Sequence, residues 1–320
     1  QFIEALAPIG KKVKIFQWSG DTTPYEAAIK QTRLAGLANI NGGDSRFDQE
    51  YLSYGWVSPL GIKMGKERQI YASNSNENTY TDQWTDRYHG FKHLVRTLRN
   101  TNIPIRVKPI NIYYHMYSGE KKAALNALID NLEYVKTQKI NAIHTSNFAN
   151  IVSSFYEVQF EQIDSQSWLV KNRGDLQTIR FDNATFKKVD FNKSKGVIGS
   201  KHIQGSLYIY LDASYDKPLI SLTKYTNYHQ EPTTNTPYVV ESNWQLRNLS
   251  FTNNKINFLV NGFGSGEMIW QMRRAGRYKI TINNFARISQ TNDNLLLELS
   301  KLPKRNDVET NMIIEYIGKI

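Results

Sequence analysis

The chain of 320 residues contains no cysteine. This absence excludes a disulfide scaffold, cysteine-ligated zinc, iron–sulfur clusters and a thiol nucleophile. The sequence also lacks any apolar run near the roughly 18 residues that a membrane-spanning helix requires, so it predicts a protein without a membrane span. With 40% hydrophobic and 22% charged residues, the composition is typical of a globular protein.

Long clusters of one charge are missing too, although the formal net charge is +11. Basic residues are spread along the chain, and their clusters are short, as in Lys11-Lys12, Lys121-Lys122 and Arg273-Arg274. A nucleic-acid-binding surface requires basic residues gathered on one face. We therefore expect a basic solvent-exposed surface and no nucleic-acid partner.

The chain begins at Gln1 without an initiating methionine or a leader segment. Its first residues resemble the interior of a longer polypeptide, and we expect a mature or truncated chain. A length of 320 residues predicts two domains, or one large domain with insertions. The sequence pattern changes near residue 155, which places one predicted domain over 1–155 and the other over 156–320.

The first part alternates short apolar runs with helical periodicity. Strands are predicted over 14–18 and 37–40, and between them Thr23 predicts a helix cap with Gly36 at the helix end. The further predictions are an ordered irregular insertion over 41–85, helices over 86–99, 118–137 (capped by Ser118) and 146–155, and β-structure over 104–117 and 141–144. This alternation is typical of parallel βαβ units.

After Phe155 the pattern becomes all-β. Turn residues separate short β-prone runs, and helical periodicity is absent. The predicted strands are 156–163, 177–181, 206–211, 219–225, 238–245, 255–260, 278–282, 295–299 and 312–316. This arrangement favours an antiparallel β-sandwich, similar to a jelly roll.

Histidines are the first candidates for chemistry. His115 follows a β-prone run and precedes a predicted helix, and α/β enzymes place catalytic groups at the carboxyl ends of parallel strands. A catalytic and a structural role both remain open for it, and His144 has a similar but weaker position. His89 and His93 are four residues apart, as in a helical metal site. No carboxylate motif accompanies them, which favours an ordinary surface role.

Two glycine-containing clusters follow the first two predicted strands. Trp18-Ser19-Gly20-Asp21 follows the first, and Asn41-Gly42-Gly43-Asp44 follows the second. Glycine permits the tight turns that such positions require. Asp21 could instead cap a helix and Asp44 could stabilise a turn, and the residues alone favour these structural roles.

Three segments in order carry a family resemblance: WSGDTTPYEAAIKQTRLAGLANINGGDSR, NSNENTYTDQW and NIYYHMYS. Together they resemble PelA-like exopolysaccharide deacetylases, which are NodB-type polysaccharide deacetylases, over roughly residues 11–150. The resemblance implies that 1–155 is the C-terminal half of a distorted (β/α) barrel. It also implies that 156–320 is the β-sandwich that follows this barrel.

The resemblance further implies a mechanism. Enzymes of this family hold a divalent metal, commonly zinc, through one Asp and two His, and the metal polarises the acetamide carbonyl and activates water. A late histidine protonates the leaving amine. By position, His115 would be this general acid and Asp44 the carboxylate that orients it. The residues that would line the acetyl and sugar pocket are Trp18, Ser19, Gly20, Asp21 and Tyr113.

The sequence departs from the family pattern in two places. The Asp motif and the His-x-x-x-His motif that supply the metal ligands should precede the strand ending at Trp18, and neither is present. We therefore assign no metal ligand in this chain, expect the ligands in an upstream segment, and predict that the 320-residue chain alone is inactive. WSGD also replaces the usual Arg-x-Pro-Tyr motif, so the role of that arginine is not transferred.

The resemblance implies a periplasmic or extracytoplasmic location. It implies N-acetylhexosamine units of a Pel-like biofilm polysaccharide as substrate and other exopolysaccharide-export proteins as partners. The alternative function is a carbohydrate-binding or scaffolding module without catalysis. Trp168, Trp244 and Trp270 would then form a sugar-stacking platform, although core positions are the favoured interpretation of these residues.

Overall fold

The computed structural model describes residues 10, 12–19, 22–42, 45–72, 76–102, 105–106, 108–224 and 235–319. These residues form a mixed α/β structure with mostly β content, arranged in several sheets and without a closed barrel. The chain divides into two compact units, the first containing 1–138 and 148–153 and the second 139–147 and 154–320.

The first unit contains short strands, helices and several 3₁₀ turns. Its described elements are β1 (Ile15–Trp18), α1 (Glu26–Leu34), β2 (Ala38–Asn41), β3 (Gly61–Met64), β4 (Glu67–Ile70), α2 (Leu94–Asn100), α3 (Lys122–Lys136) and part of α4 (Thr145–Glu157). The 3₁₀ turns are Tyr54–Trp56, Glu77–Tyr80, Gly90–His93 and Met116–Gly119. Strands β1 and β2 pair in parallel, and β3 and β4 form an antiparallel hairpin.

The predicted strand–helix–strand at the start of the chain is confirmed, with a later helix start. Helix α1 begins at Glu26, with Tyr25 at the N-cap and no side-chain capping bond. The Glu26 carboxylate accepts a hydrogen bond from the Lys66 backbone N–H at 3.0 Å. The Glu26 carboxylate is therefore engaged in a tertiary contact and does not form the predicted capping box with Thr23.

Two helix predictions need correction in their first turns. The helix predicted over 86–99 begins as the 3₁₀ turn Gly90–His93 and becomes α-helical only in α2. Ser118 does not cap α3, whose N-cap is Lys121. The Ser118 hydroxyl instead donates to the buried carboxylate of Glu77 at 3.3 Å. In contrast, the helix predicted over 146–155 is confirmed as α4.

Two strand predictions are wrong. The described part of 104–117 has no regular strand and makes only one isolated bridge, from Tyr113 to Asn76. Segment 141–144 is irregular, because it finds no neighbouring strand among the described residues. β-Prone residues form a strand only where a second strand offers hydrogen-bonding partners.

The second unit is built from β-strands. They are β5 (Gln159–Asp164), β6 (Ser167–Lys171), β7 (Thr178–Phe181), β8 (Lys187–Val189), β9 (Val197–Ile203), β10 (Ser206–Leu211), β11 (Leu219–Lys224), β12 (Tyr238–Ser242), β13 (Gln245–Phe251), β14 (Lys255–Asn261), β15 (Phe263–Gly264), β16 (Met268–Gln271), β17 (Arg277–Ile282), β18 (Phe285–Gln290), β19 (Leu296–Leu299), β20 (Arg305–Asn306) and β21 (Thr310–Gly318). The larger sheets have the orders β19-β16-β12-β9-β10-β7, β5-β6-β11-β8 and β13-β14-β21-β17-β18.

Alternating burial explains how these sheets pack. In β10 the residues Leu207, Ile209 and Leu211 are buried and their neighbours are not, because successive side chains point to opposite faces of a sheet. One hydrophobic cluster joins the six-stranded sheet to the five-stranded sheet, and another joins β7 and β10 to the four-stranded sheet. The predicted β-rich second part is therefore confirmed at this level.

Strand β9 was not predicted, because Gly199 interrupts the β-prone residues of its sequence, VIGSKHI. Its pairing with β12 is parallel, whereas the other pairings of the three larger sheets are antiparallel. At Gly199 a Cβ atom would lie 2.0 Å from the Val239 carbonyl oxygen. The close approach of the two backbones therefore requires glycine at a position that sequence patterns interpret as a break.

Within the described residues, no helix has both the length and the apolar composition needed to cross a bilayer.

We predict that Gly90→Ala destabilises the first unit by about 1–3 kcal/mol. A Cβ at Gly90 would lie 1.9 Å from the Tyr80 carbonyl oxygen, so backbone must move to admit it. Chemical denaturation followed by tryptophan fluorescence measures the effect. Gly119→Ala is the control, because a Cβ there meets nothing within 4 Å. Equal stability of the two variants would contradict the prediction.

Candidate active site around His115

A buried carboxylate holds His115 in the first unit. Glu77 Oε1 lies 2.8 Å from His115 Nδ1 and accepts the His115 backbone N–H at 2.7 Å. The Ser118 hydroxyl donates to the same oxygen at 3.3 Å. The Glu77 side chain is 1% exposed and the His115 side chain 34% exposed. The histidine is therefore fixed on its buried side and accessible on the other.

Two 3₁₀ turns bring the pair together. Glu77 starts the turn that ends at Tyr80, and the Asn76 side chain caps this turn by accepting the Asn78 N–H at 2.9 Å. The buried Tyr80 ring anchors the turn in a hydrophobic cluster with α2 and α3 residues. His115 is the N-cap of the turn Met116–Gly119. Glu77 is therefore the first residue of one turn, and His115 immediately precedes the other.

Aromatic rings flank the His115 imidazole. The Tyr117 ring stacks on it, with a centroid separation of 4.8 Å and an interplanar angle of 6°. The Tyr113 ring lies 5.3 Å away in a tilted orientation. Burial raises the pKa of Tyr117, and the nearby Glu77 charge raises it further. Tyr117 therefore stays a neutral phenol around neutral pH and restricts the imidazole to one orientation.

The hydrogen bonds define what His115 can do chemically. Three groups converge on Glu77 Oε1, which is the pattern of a carboxylate that accepts only. Nδ1 then donates, and Nε2 is left to take up or release a proton. Histidine held in this way is the usual general acid or base of an enzyme. The pair therefore meets the geometric requirement for proton transfer at Nε2.

Some of the predicted pocket residues lie along one path toward His115. Trp18 ends β1 and is paired with Asn41 at the end of β2. The next residue, Gly42, faces the Tyr113 ring so closely that a Cβ would be 3.4 Å from it. The paired ends of β1 and β2 therefore lie close to Tyr113, whose ring is next to His115. The carbonyl of the exposed residue Ser19 accepts a hydrogen bond from the Thr22 N–H at 3.3 Å.

Three predicted site residues, Gly20, Asp21 and Asp44, lie outside the described residues, and the orienting role of Asp44 stays a prediction. The carboxylate found on His115 Nδ1 is Glu77, which the sequence analysis missed. Glu77 lies in the segment NSNENTYTDQW, one of the three that carry the family resemblance. A systematic search of such segments for carboxylates would have found it.

The other histidines do not form a metal site with described residues. His89 and His93 lie at the two ends of a 3₁₀ turn and not on one α-helical face. His144 Nε2 contacts Asp307 Oδ2 at 3.0 Å in the second unit. The described residues contain no group of three His, Asp or Glu that could hold a metal ion, so the metal-site hypothesis for the His89–His93 pair is wrong within this part of the chain.

The tryptophans predicted as a possible platform are mainly core residues. Trp244 and Trp270 are 2% and 0% exposed. Trp168 is partly buried and packs against Phe181 at 5.1 Å between ring centroids. The favoured core interpretation is therefore confirmed for Trp244 and Trp270, and a sugar platform built from all three residues is wrong.

A buried arginine supports the turn that carries Glu77. Arg46 Nε donates to Asp48 Oδ2 at 2.7 Å, and its other nitrogens donate to Glu50 and to the Thr79 carbonyl. The guanidinium lies between the rings of Tyr51 and Tyr80, 4.7 and 4.6 Å from their centroids. Because both charged side chains of the Arg46–Asp48 pair are less than 10% exposed, losing one partner leaves a buried charge.

Comparisons with known proteins give no family. No protein-family model matches the chain, and no curated protein matches it. Among solved structures, a cupin 2 conserved barrel domain protein from Leptotrichia buccalis aligns over 58% of this chain and 94% of its own, with 9% identity and a TM-score of 0.13. A rhamnosidase from Novosphingobium sp. PP1Y aligns over 94% of this chain and 29% of its own, with 10% identity and a TM-score of 0.17. Neither similarity is close enough to indicate a shared fold or function.

Asp48→Asn is expected to destabilise the first unit by about 3 kcal/mol at pH 7. Burial by itself raises the pKa of Asp48, but the hydrogen bonds from Arg46 and from backbone N–H groups bring it below the ordinary 3.8. The stabilisation is therefore present above pH 3.8 and is lost as the pH falls through the lowered pKa. Denaturant unfolding at a series of pH values measures it.

The exposed carboxylate of Asp86 provides the control for this measurement. Asp86→Asn is expected to change stability by less than about 0.5 kcal/mol. A difference between Asp48→Asn and the wild type that stayed constant from pH 7 to pH 3 would contradict the ion-pair explanation.

Glu77→Gln is expected to change which nitrogen of His115 carries the proton. In the wild type the carboxylate keeps the proton on Nδ1, whereas the glutamine amide can either accept from or donate to that atom. Two-bond ¹H–¹⁵N correlation spectra should show the Nδ1–H tautomer in the wild type and a smaller share of it in the variant. The exposed His89 serves as an internal reference, and an unchanged His115 tautomer would contradict the assignment.

Proposed function

We propose that this chain supplies the histidine-bearing part of a PelA-like polysaccharide deacetylase. The reaction is hydrolysis of the acetamide of N-acetylhexosamine units in a Pel-like exopolysaccharide of the biofilm matrix, giving acetate and a free amine. The single observation that supports this best is the bond between His115 Nδ1 and the buried Glu77 carboxylate. It leaves Nε2 for transferring a proton to the departing amine nitrogen.

The fold of the first unit supports the same proposal. The parallel pairing of β1 with β2 continues through isolated parallel bridges between Asn41 and Tyr71 and between Asn76 and Tyr113. Helix α1 connects β1 to β2, as in the repeating unit of a (β/α) barrel. The connection from Asn41 to Tyr71 contains the β3–β4 hairpin in place of an α-helix. On the proposal, the first unit is the C-terminal half of a distorted NodB-type barrel, and the second is a jelly-roll-like β-sandwich.

In the proposed reaction, His115 acts when the C–N bond of the tetrahedral intermediate breaks. The protonated imidazole gives its Nε2 proton to the nitrogen, so that the product leaves as an amine rather than as an amide anion. Glu77 accepts the Nδ1 hydrogen bond and holds the ring in position. The stacked Tyr117 ring restricts rotation of the imidazole, and Tyr113 forms the side nearest to the ends of β1 and β2.

The divalent metal that the resemblance implies, commonly zinc, is not assigned to residues here. The described residues do not fit it, since they contain no group of three His, Asp or Glu. The proton transfer from His115 to the departing amine does not depend on this metal. The proposal places its ligands in another segment and places the protein in the periplasm or outside the cell, with export proteins of the polysaccharide as partners.

Acetate release from N-acetylhexosamine oligosaccharides in the presence of zinc tests the proposal. The assay uses the protein made from its full coding sequence, including any residues before Gln1. His115→Ala is expected to lower kcat by about 10²–10⁴-fold, because a general acid contributes this much. His89→Ala, which changes an exposed histidine outside the pair, is expected to leave kcat unchanged.

The 320-residue chain alone is expected to release no acetate. The proposal fails if the full protein releases no acetate with any divalent metal. It also fails if His115→Ala hydrolyses the substrate as fast as the wild type.

A further inference from the structure

A groove of about 890 Å³ in the first unit is lined in part by Tyr117, whose ring stacks on His115. Its lining combines the aromatic rings of Trp84, Tyr88 and Tyr117 with polar and charged side chains such as Asn78, Gln83 and Glu120. The volume lies within the range of small-molecule sites, which usually combine hydrophobic or aromatic walls with a few polar groups. Asn76 and Asn78 flank Glu77, so the groove and the candidate active site share one turn.

Aromatic contacts connect the groove to the histidine. The Trp84 ring meets the Tyr117 ring edge to face at 5.0 Å, and Tyr117 in turn stacks on His115. The Trp84 ring also contacts the Tyr88 ring, with 5.9 Å between the ring centroids. A ligand lying along these rings would therefore extend from the groove to the imidazole.

The wall that carries Trp84 has an unusual backbone. Asp82, Gln83 and Trp84 have φ values of 46°, 54° and 66°, a run of three left-handed residues without glycine. Each such residue costs about 1–2 kcal/mol relative to the right-handed conformation. The Trp84 indole N–H is also buried without an acceptor among the described residues. Conformations of this cost are concentrated at binding and catalytic sites, where the surrounding structure maintains them.

Hydrogen bonds from the Glu77 turn hold this wall in place. The Gln83 N–H donates to the Asn78 carbonyl at 3.2 Å, and the Trp84 N–H donates to the Thr81 carbonyl at 3.0 Å. The Thr81 hydroxyl donates to the Glu77 carbonyl at 2.8 Å. The same turn therefore positions both the partner of His115 and the Trp84 ring.

The charges of the groove argue against a polyanionic ligand. Its charged side chains are the carboxylates of Asp82 and Glu120 and the ammonium of Lys121. Lys121 Nζ already lies over the Tyr88 ring, 5.5 Å from its centroid. Arg87 Nε lies 3.4 Å from Asp82 Oδ2 and offsets that carboxylate. Lys121 is then the single cation among the described lining residues, whereas a phosphate-rich ligand requires several basic contacts. A neutral ligand with an apolar face and many hydroxyl groups fits the rings, amides and carboxylates better.

We propose that this groove binds the sugar units that flank the reacting unit of the polysaccharide, with the Trp84 ring as the stacking surface. A pyranose ring presents an apolar C–H face to an aromatic ring, and its hydroxyl groups form hydrogen bonds with amide and carboxylate groups at the rim. Asn78, Gln83 and Glu120 supply these groups. This inference rests on the proposed deacetylase function, because it takes the reacting sugar to lie at His115.

Oligosaccharide binding tests the groove directly. The 320-residue chain is titrated with short N-acetylglucosamine and N-acetylgalactosamine oligosaccharides by calorimetry. Trp84→Ala is expected to weaken binding at least about tenfold, as removal of a central aromatic anchor commonly does. Trp84→Phe should retain most of the affinity. Tyr25→Ala is the matched control, because Tyr25 is an 82% exposed aromatic residue that does not line the groove.

A second variant, Glu120→Gln, tests the groove independently in case Trp84→Ala disturbs the fold. Glu120 is exposed and lies between the turn Met116–Gly119 and α3. Glu120→Gln is therefore expected to weaken binding severalfold with an unchanged melting temperature. Absence of binding by the wild type, or wild-type affinity in both Trp84→Ala and Glu120→Gln, would overturn the proposal.

The test separates this inference from the proposed function. Binding that depends on Trp84 without any acetate release by the full protein would support the groove and contradict the deacetylase. Acetate release that depends on His115, with an unchanged KM in Trp84→Ala, would support the deacetylase and contradict the groove.

Discussion

The hydrogen bonds of one buried oxygen, Glu77 Oε1, organise the candidate site. This atom accepts from the backbone and the ring of His115 and from Ser118, so it connects two turns separated by almost 40 residues in sequence. A buried carboxylate is tolerated only when polar groups replace the water it has lost. For Oε1 they come from Ser118 in the turn Met116–Gly119 and from its cap residue His115, whereas Oε2 is buried without a hydrogen-bond partner among the described residues. The bonds to Oε1 couple the order of that turn to the position of the histidine.

The region before this turn depends on a second buried charge. Arg46 joins Asp48, Glu50 and the Thr79 carbonyl and lies between two tyrosine rings. Thr79 belongs to the same 3₁₀ turn as Glu77. The first unit thus stabilises an irregular segment with paired charges and aromatic contacts, where a regular sheet would use backbone ladders. Such segments are where binding and catalytic residues are usually found.

The packing of the second unit depends on alternating burial along its strands. Strands such as β10 and β14 bury every second side chain, and the buried residues of facing sheets form continuous clusters. The two large tryptophans at its centre, Trp244 and Trp270, fill space that smaller residues would leave as cavities.

The sequence by itself determined those features that depend on neighbours along the chain. Alternating apolar residues predicted strands such as β10, and Gly36 predicted the end of α1, because these patterns act within a few residues. The same local rules failed at 104–117 and 141–144, where strand formation depends on whether a distant partner is present. They also pointed to His115 as a site residue without identifying its carboxylate.

Only the tertiary structure decided that partner and the surrounding geometry. Glu77 reaches His115 because a cap at Asn76, a buried ring at Tyr80 and an arginine network bring two distant turns together. No spacing rule relates residues 77 and 115, since the bond depends on how the intervening 3₁₀ turns and helices pack. The left-handed run at 82–84 has the same origin, because contacts around it compensate for a conformation that its own residues disfavour.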